Sequence, residues 1–247
     1  MYPIPGNQDW ITSYGLTLII ALVTCWWLAR RNAKAAGIDP SHINLVLPLA
    51  ILGGFLFTAL QPSPRIQLIP LIITCLVVVF AYSRITGMAF SRLADVFALP
   101  TLAAIAVQRI GCFLAGCCFG EPVGNDALHW LGVEFPAGSF AHEHHVMLGL
   151  IEPGAATSLA VHATQLYEAV LLVPLYLILR QFGGKGNFAG ALTLAAIAGY
   201  AVVRFGIEFL RADSAAISGS FSVIQLVCVA VVLGAAIMSR MNTNAWR

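Results

Sequence analysis

Seven apolar stretches, at about 11–29, 43–60, 67–83, 93–112, 165–180, 189–209 and 219–239, divide the chain, and most are separated by short polar or basic connections. A bilayer core takes about 20 apolar residues per helix, within a range of roughly 17–25, so each stretch predicts one membrane-crossing helix. The expected fold class is an all-α polytopic membrane protein, a single integral-membrane domain over 1–247. One connection is long, about 119–164, and carries Trp130, Leu131, Val133, Phe135, Val146, Met147 and Leu148 among its glycines and prolines. That apolar content predicts a folded cap at the membrane surface. The first stretch is not expected to be a cleavable signal, because no basic region precedes it and its positive charges follow it.

Composition sharpens this picture. Hydrophobic residues make up 59% of the chain and charged residues 10%, with a mean hydropathy of +0.85, which excludes an ordinary soluble domain. The net charge of +2 gives no argument for nucleic acid, and no Gly-rich phosphate loop or charged tail is present. Lysine and arginine set the orientation. Arg30, Arg31 and Lys34 follow the first stretch, Arg84 and Arg92 the third, Arg180 and Lys185 the fifth, and Arg240 and Arg247 the seventh. All nine fall on one side if the N terminus is outside and the C terminus inside.

Four cations do not fit that pattern, and all are arginines: Arg65, Arg109, Arg204 and Arg211. Arg65 lies in a polar turn, where a loop cation needs no further account. The other three stand in or at the outer ends of apolar segments. A cation at the centre of a membrane helix costs about 2.5–3.5 kcal/mol on insertion scales, so such residues face a polar cavity. Arginine offers a planar fork that grips phosphate bidentately, where lysine offers a point charge. Few acids are at hand, and Arg109 has none within four positions. The set therefore points to a pocket for an anionic phospholipid headgroup. Arg204 and Glu208 stand four apart, so mutual neutralisation is the competing reading for that pair.

Two further constellations lie toward the outer side. Arg109 leads into a run with Gly111, Gly116 and Gly120, and with Cys112, Cys117 and Cys118. The glycines allow close backbone approach. The cysteines suit a structural role, with a disulfide from Cys112 to one of the adjacent pair more plausible than one within it. His142-Glu143-His144-His145 would supply imidazoles to a metal, but the cysteine spacing matches no standard zinc pattern, and no metal or other cofactor is expected. Cys25, Cys75 and Cys228 lie mid-segment as small apolar residues. The second constellation is Val161 to Glu168, at the entry to the fifth stretch. His162 there is either a helix-cap residue or a group that titrates near neutrality at a lipid interface, and Gln165 and Glu168 share one helix face.

With these pieces in place, the chain resembles the prolipoprotein diacylglyceryl transferase family, seven-helix enzymes of the bacterial inner membrane. The resemblance runs in order along nearly the whole chain. It is carried by Ser13-Tyr14-Gly15-Leu16, Trp27-Leu28-Ala29-Arg30-Arg31, Ile51-Leu52-Gly53-Gly54, Arg109-Ile110-Gly111 with Gly116 and Gly120, and His162 to Glu168. Gly199-Tyr200, Arg204 to Arg211 and Gln225 complete it. It implies transfer of a diacylglyceryl group from phosphatidylglycerol to the cysteine thiol of a lipoprotein precursor, or to another nucleophile, with release of glycerol phosphate. It further implies that Arg109 and Arg204 hold the lipid phosphate, and that Tyr14, Gly120, Glu208 and Arg211 line or brace the cavity. The family's His-Gly-Gly motif is replaced here by Arg65-Ile66-Gln67-Leu68-Ile69-Pro70, and Cys112 stands where the family has asparagine. His162, or a histidine of the cap, would then have to replace the missing base. Two other readings stay open: a thiol-redox or metal protein working through Cys112, Cys117 and Cys118, and a protein that binds or moves lipid without chemistry.

Overall fold

A computed structural model of the chain describes residues 13–59, 68–124, 129–182, 188–212, 216–218 and 221–244. Eight α-helices appear among them: α1 (Ser13–Ala35), α2 (Ser41–Ala59), α3 (Leu68–Thr86), α4 (Phe90–Ala115), α5 (Phe140–Met147), α6 (Thr164–Phe182), α7 (Ala191–Glu208) and α8 (Val223–Asn244). Each of the seven apolar stretches coincides with a helix, and the short α5 falls in the long connection. Among the described residues, four helical segments are long and apolar enough to cross a membrane: Ser13–Ala35, Phe90–Ala115, Ala191–Glu208 and Val223–Asn242. α2 and α3, 19 residues each, are apolar as well. The expectation of helices alone misses two small antiparallel ribbons: β1 (Gly132–Val133) with β2 (Val161–His162), and β3 (Ala216–Ser218) with β4 (Phe221–Ser222).

The outer surface is built for an apolar solvent. Leu52, Val77, Val170, Val202 and Leu233 are each more than half exposed, a density of bare aliphatic side chains that water does not tolerate on a monomer. Inside, α4 is the hub and packs on α1, α6 and α7, while α2 pairs with α3 and α7 with α8. One buried cluster joins the first four helices through Ala29, Ala33, Ile43, Val46, Tyr82, Leu93 and Val96. A second, with Leu99, Leu102, Leu172, Leu179 and Ala196, locks α4 against α6 and α7. At the end of α1, Arg30 and Arg31 stack on Trp26 and Trp27, 5.0 and 4.8 Å from the ring centroids. Such pairs suit the boundary between lipid and water.

One contact fixes the α4–α7 arrangement. The start of α7 has no side-chain cap of its own, because Gly190 occupies the capping position at φ 98°. Asp95 of α4 supplies the missing acceptors, taking hydrogen bonds from Gly190 N (2.7 Å), Thr193 N (2.8 Å) and Thr193 Oγ1 (2.7 Å). An anion at a helix N-terminus also meets the positive end of the helix dipole. We expect Asp95→Ala to lower stability by about 2 kcal/mol, the scale of hydrogen bonds to a charged group. Unfolding in detergent measures this, and Asp95→Ala matching wild type would remove the cap from the account.

The long connection is folded and packs about its own apolar residues. Phe119, Phe135, Ala141 and Val161 form its buried centre. The histidines of α5 are part of its scaffold: His142 Nε2 lies 2.8 Å from the Ala155 carbonyl, and Leu159 N donates to His145 Nδ1 at 3.2 Å. Burial, then the neighbouring His144 and His142, push the His145 imidazole below its ordinary value of 6.5. A lowered histidine pKa means that the folded protein binds the proton less readily than the unfolded chain. Its stabilising effect is then full above about 6.5 and declines as pH falls through that value. Acidification from pH 7.5 to 5.5 should therefore lower the unfolding temperature less in His145→Gln than in wild type, and equal slopes would contradict this.

Candidate functional site

The site assembles where α4 ends. Gly111 permits the approach of α1, since a Cβ there would collide with the Thr17 hydroxyl. Tyr14, one turn before Thr17, then sits beside Gln108 and within electrostatic reach of all three nearby cysteines. Gly116 closes α4 at φ 66°, with its N–H directed at the Cys112 and Phe113 carbonyls. The chain turns again at Cys118, which is left-handed at φ 59° and the one described non-glycine residue with positive φ. A β-carbon resists that conformation. Two residues of α6 hold it in place: Gln165 Nε2 donates to the Cys117 carbonyl (2.6 Å), and Thr164 Oγ1 to the Cys118 carbonyl (2.7 Å).

Gly120 is where three segments cross. It bridges to Arg211, its N–H donates to the His162 carbonyl (2.9 Å), and His162 N donates in turn to the Glu121 carbonyl (3.1 Å). A Cβ at Gly120 would collide with the Leu210 carbonyl and stand 2.7 Å from His162 Cβ and 2.9 Å from Thr164 Cγ2. The glycine is therefore required by proximity alone. His162 is buried in β2, with Nδ1 3.4 Å from the Tyr167 hydroxyl. It lies two residues before α6 and works as a strand residue, so the cap reading of its position gives way.

Both intramembrane arginines have acids, which corrects the expectation of cations with few counter-charges. Arg109 Nη2 lies 2.9 Å from Glu168 Oε1, and the Tyr200 hydroxyl donates to the same oxygen at 3.0 Å. That pair joins α4, α6 and α7 and spans 59 positions of sequence, beyond the reach of any local count. Arg204 Nη2 lies 2.7 Å from Glu208 Oε2, so the i,i+4 pair does form. Glu208 Oε1 accepts from Ser222 Oγ (2.9 Å), and Gln225 fixes Ser222 by accepting from its N–H (2.9 Å). Pairing does not exhaust the guanidiniums. Arg109 Nε and Arg204 Nη1 are shielded from solvent and have no hydrogen-bond partner among the described residues. The same holds for both carboxamide atoms of Gln108, for Gln165 Oε1 and for Gln225 Nε2. Buried donors and acceptors left open at this density call for an explanation.

The cysteines also depart from expectation. None is bridged: Cys112, Cys117 and Cys118 are free thiols, and their three Sγ atoms lie within 4.8 Å of one another. Hydrogen bonds from Cys112 and Cys117, with Arg211 and Arg109 nearby, hold the Cys118 thiol well below the ordinary thiol range. Sharing hydrogen bonds with Cys112 and Cys118 pushes the Cys117 thiol up. Cys25 and Cys228 are buried, as expected for small apolar residues, and Cys75 is half-buried. Arg65 to Gln67 lie outside the described residues. Sequence reasoning passed over Gln108 and Ser222 altogether and gave Tyr200 no role, although a polar residue inside an apolar helix is itself a signal of function.

Residues 71–241 match the family model described as prolipoprotein diacylglyceryl transferase. Among relatives, phosphatidylglycerol–prolipoprotein diacylglyceryl transferase 2 of Clostridium perfringens is 27% identical over 151 residues, 61% of this chain and 52% of that protein. The phosphatidylglycerol–prolipoprotein diacylglyceryl transferase of Clostridium tetani is 24% identical over 82% of each chain. That of Methylococcus capsulatus is 27% identical over 89% of this chain and 86% of its own.

Proposed function

Because the chain belongs to the prolipoprotein diacylglyceryl transferase family, we propose that it moves the diacylglyceryl group of phosphatidylglycerol to the cysteine thiol of a lipoprotein precursor. The observation that carries this reading is the pair of arginines, each oriented by one acid and each keeping a buried donor open at Arg109 Nε and Arg204 Nη1. A phosphate brings several acceptor oxygens and negative charge, which is what these donors lack.

In the proposed reaction the acceptor sulfur attacks the glyceryl carbon that carries the phosphate. A carbon–sulfur bond forms, the carbon–oxygen bond breaks, and glycerol phosphate leaves with the bonding electron pair. The charge that builds on the phosphate oxygens is met by Arg109 and Arg204, which Glu168, Tyr200, Glu208 and Ser222 hold in fixed positions. Donors oriented beforehand spend nothing on reorganisation as charge develops. The thiol proton must go to a base, and we assign that role to His162, since the family's own histidine motif is absent here. Tyr14, Gln165 and Arg211 line the same region, and Gly120 lets its walls meet.

The basic residues at the ends of the apolar stretches support seven crossings with the N terminus outside and the C terminus inside, in a bacterial inner membrane. That orientation places the cap and the cysteines on the outer face. The test is purified protein with phosphatidylglycerol labelled in its glycerol phosphate and a cysteine-containing lipoprotein-precursor peptide. We expect one glycerol phosphate released per diacylglyceryl group gained by the peptide. Release without modified peptide would overturn the assigned acceptor, and no release would overturn the transferase reading.

A further inference from the structure

The three thiols at the end of α4 have no part in the transfer just described. Cys112 is on the last turn of the helix, Gly116 ends it, and the left-handed Cys118 turns the chain back. The result is one sulfur from each of three residues converging within 4.8 Å. A metal ion bound to three thiolates at about 2.3 Å sets its sulfurs about 4 Å apart, so the site closes on an ion with movements of less than about an ångström. The cage is tied down from outside by Thr164 and Gln165, which hold the Cys118 and Cys117 carbonyls. Gln165 is itself almost wholly buried, and its Oε1 has no partner among the described residues. No histidine or carboxylate joins the cluster among the described residues.

We propose that Cys112, Cys117 and Cys118 form a three-coordinate thiolate site for a soft monovalent cation, Cu(I). The donor set selects the ion. Thiolates favour soft metals, Cu(I) and zinc foremost. Zinc takes four ligands in closed protein sites, and here protein donors supply three. Charge agrees: three thiolates with Cu(I) carry −2, and Arg109 and Arg211 lie close enough to bear on Cys118 electrostatically. Binding requires thiol protons to leave to solvent as the sulfurs bond the ion. Arg109 is also three positions before Cys112 on the same helix. A filled site is therefore an anionic complex beside the guanidinium proposed to hold lipid phosphate, and it opposes lipid binding. This last consequence rests on the transferase reading, whereas the site itself does not.

The test titrates Cu(I), kept reduced with ascorbate under nitrogen, into intact protein in detergent against a competing Cu(I) chelator. We expect one ion per chain to be held against the chelator, with thiolate-to-copper absorption in the near ultraviolet and X-ray absorption showing three sulfurs and no nitrogen or oxygen. Cys112→Ser/Cys117→Ser/Cys118→Ser should lose the tight ion while Cys25, Cys75 and Cys228 remain. Cys117→Ser alone, the mildest change, should weaken binding at least tenfold and guards against a misfolded triple variant. Equal stoichiometry in wild type and both variants would overturn the site. Tight Zn(II) with a fourth, oxygen ligand, retained in the presence of excess Cu(I), would overturn the choice of ion. Copper-dependent inhibition of transfer, lifted by chelator, is the separate readout. Its failure with intact copper binding would remove the link to Arg109 and leave the site standing.

Discussion

Arg109→Ala should lower the rate of glycerol phosphate release by about 100- to 1,000-fold, the cost of removing one preorganised donor from a developing oxyanion. The same change strands Glu168, which is 1% exposed and sits at the centre of the α4–α6–α7 junction. Breaking a buried pair by removing one partner costs about 3–5 kcal/mol, so loss of activity alone would not separate chemistry from folding. Two further variants do. Arg109→Ala/Glu168→Gln removes both charges, and it should recover most of the lost stability with none of the lost rate. Arg109→Lys keeps a cation beside Glu168 and should fold, yet it lacks the fork that serves Glu168 through Nη2 and a ligand through Nε. We expect at least a tenfold deficit from it. Activity restored in the double variant would sink the phosphate-holding role and leave Arg109 a structural partner of Glu168.

How much of this was legible beforehand depends on the range of the interaction. The helices were readable because each must offer an unbroken apolar surface to lipid, a demand that every residue of a stretch expresses locally. The Arg204–Glu208 pair was readable because four positions make one helical turn. Arg109 was readable as an oddity, but its partner Glu168 was not, since only the packing of α6 on α4 brings them together. The same limit hid Asp95, which caps a helix whose first residues lie about 95 positions away. The thiol cluster was misjudged for another reason. Spacing suggested a disulfide, and nothing in the spacing reports that Cys118 takes a left-handed turn, which sets three free sulfurs side by side.

Gly120→Ala should lower activity by about 100-fold and lower the apparent unfolding temperature, although it adds one methyl group to a residue that makes no side-chain contact. The methyl would meet the Leu210 carbonyl, which is backbone, the His162 Cβ, which cannot swing away, and the Thr164 Cγ2, whose rotamer is held by the Oγ1 hydrogen bond to the Cys118 carbonyl. Overpacking of this kind costs about 1–3 kcal/mol, occasionally more, and about 1 kcal/mol corresponds to about 2–4 °C in a chain of this size. Relief requires the 120 segment to part from either His162 or Arg211. The first breaks the hydrogen bond from Gly120 N to His162, and the second breaks the one from Glu121 N to the Leu210 carbonyl. Either movement displaces a proposed site residue by a large fraction of an ångström, and misplacement of about 1 Å is enough to cost about 100-fold in rate. Gly124, a few residues on, has open space where its Cβ would be, so Gly124→Ala is the control and should behave as wild type. If Gly120→Ala retains full turnover, the meeting of these three segments is not what sets the site geometry.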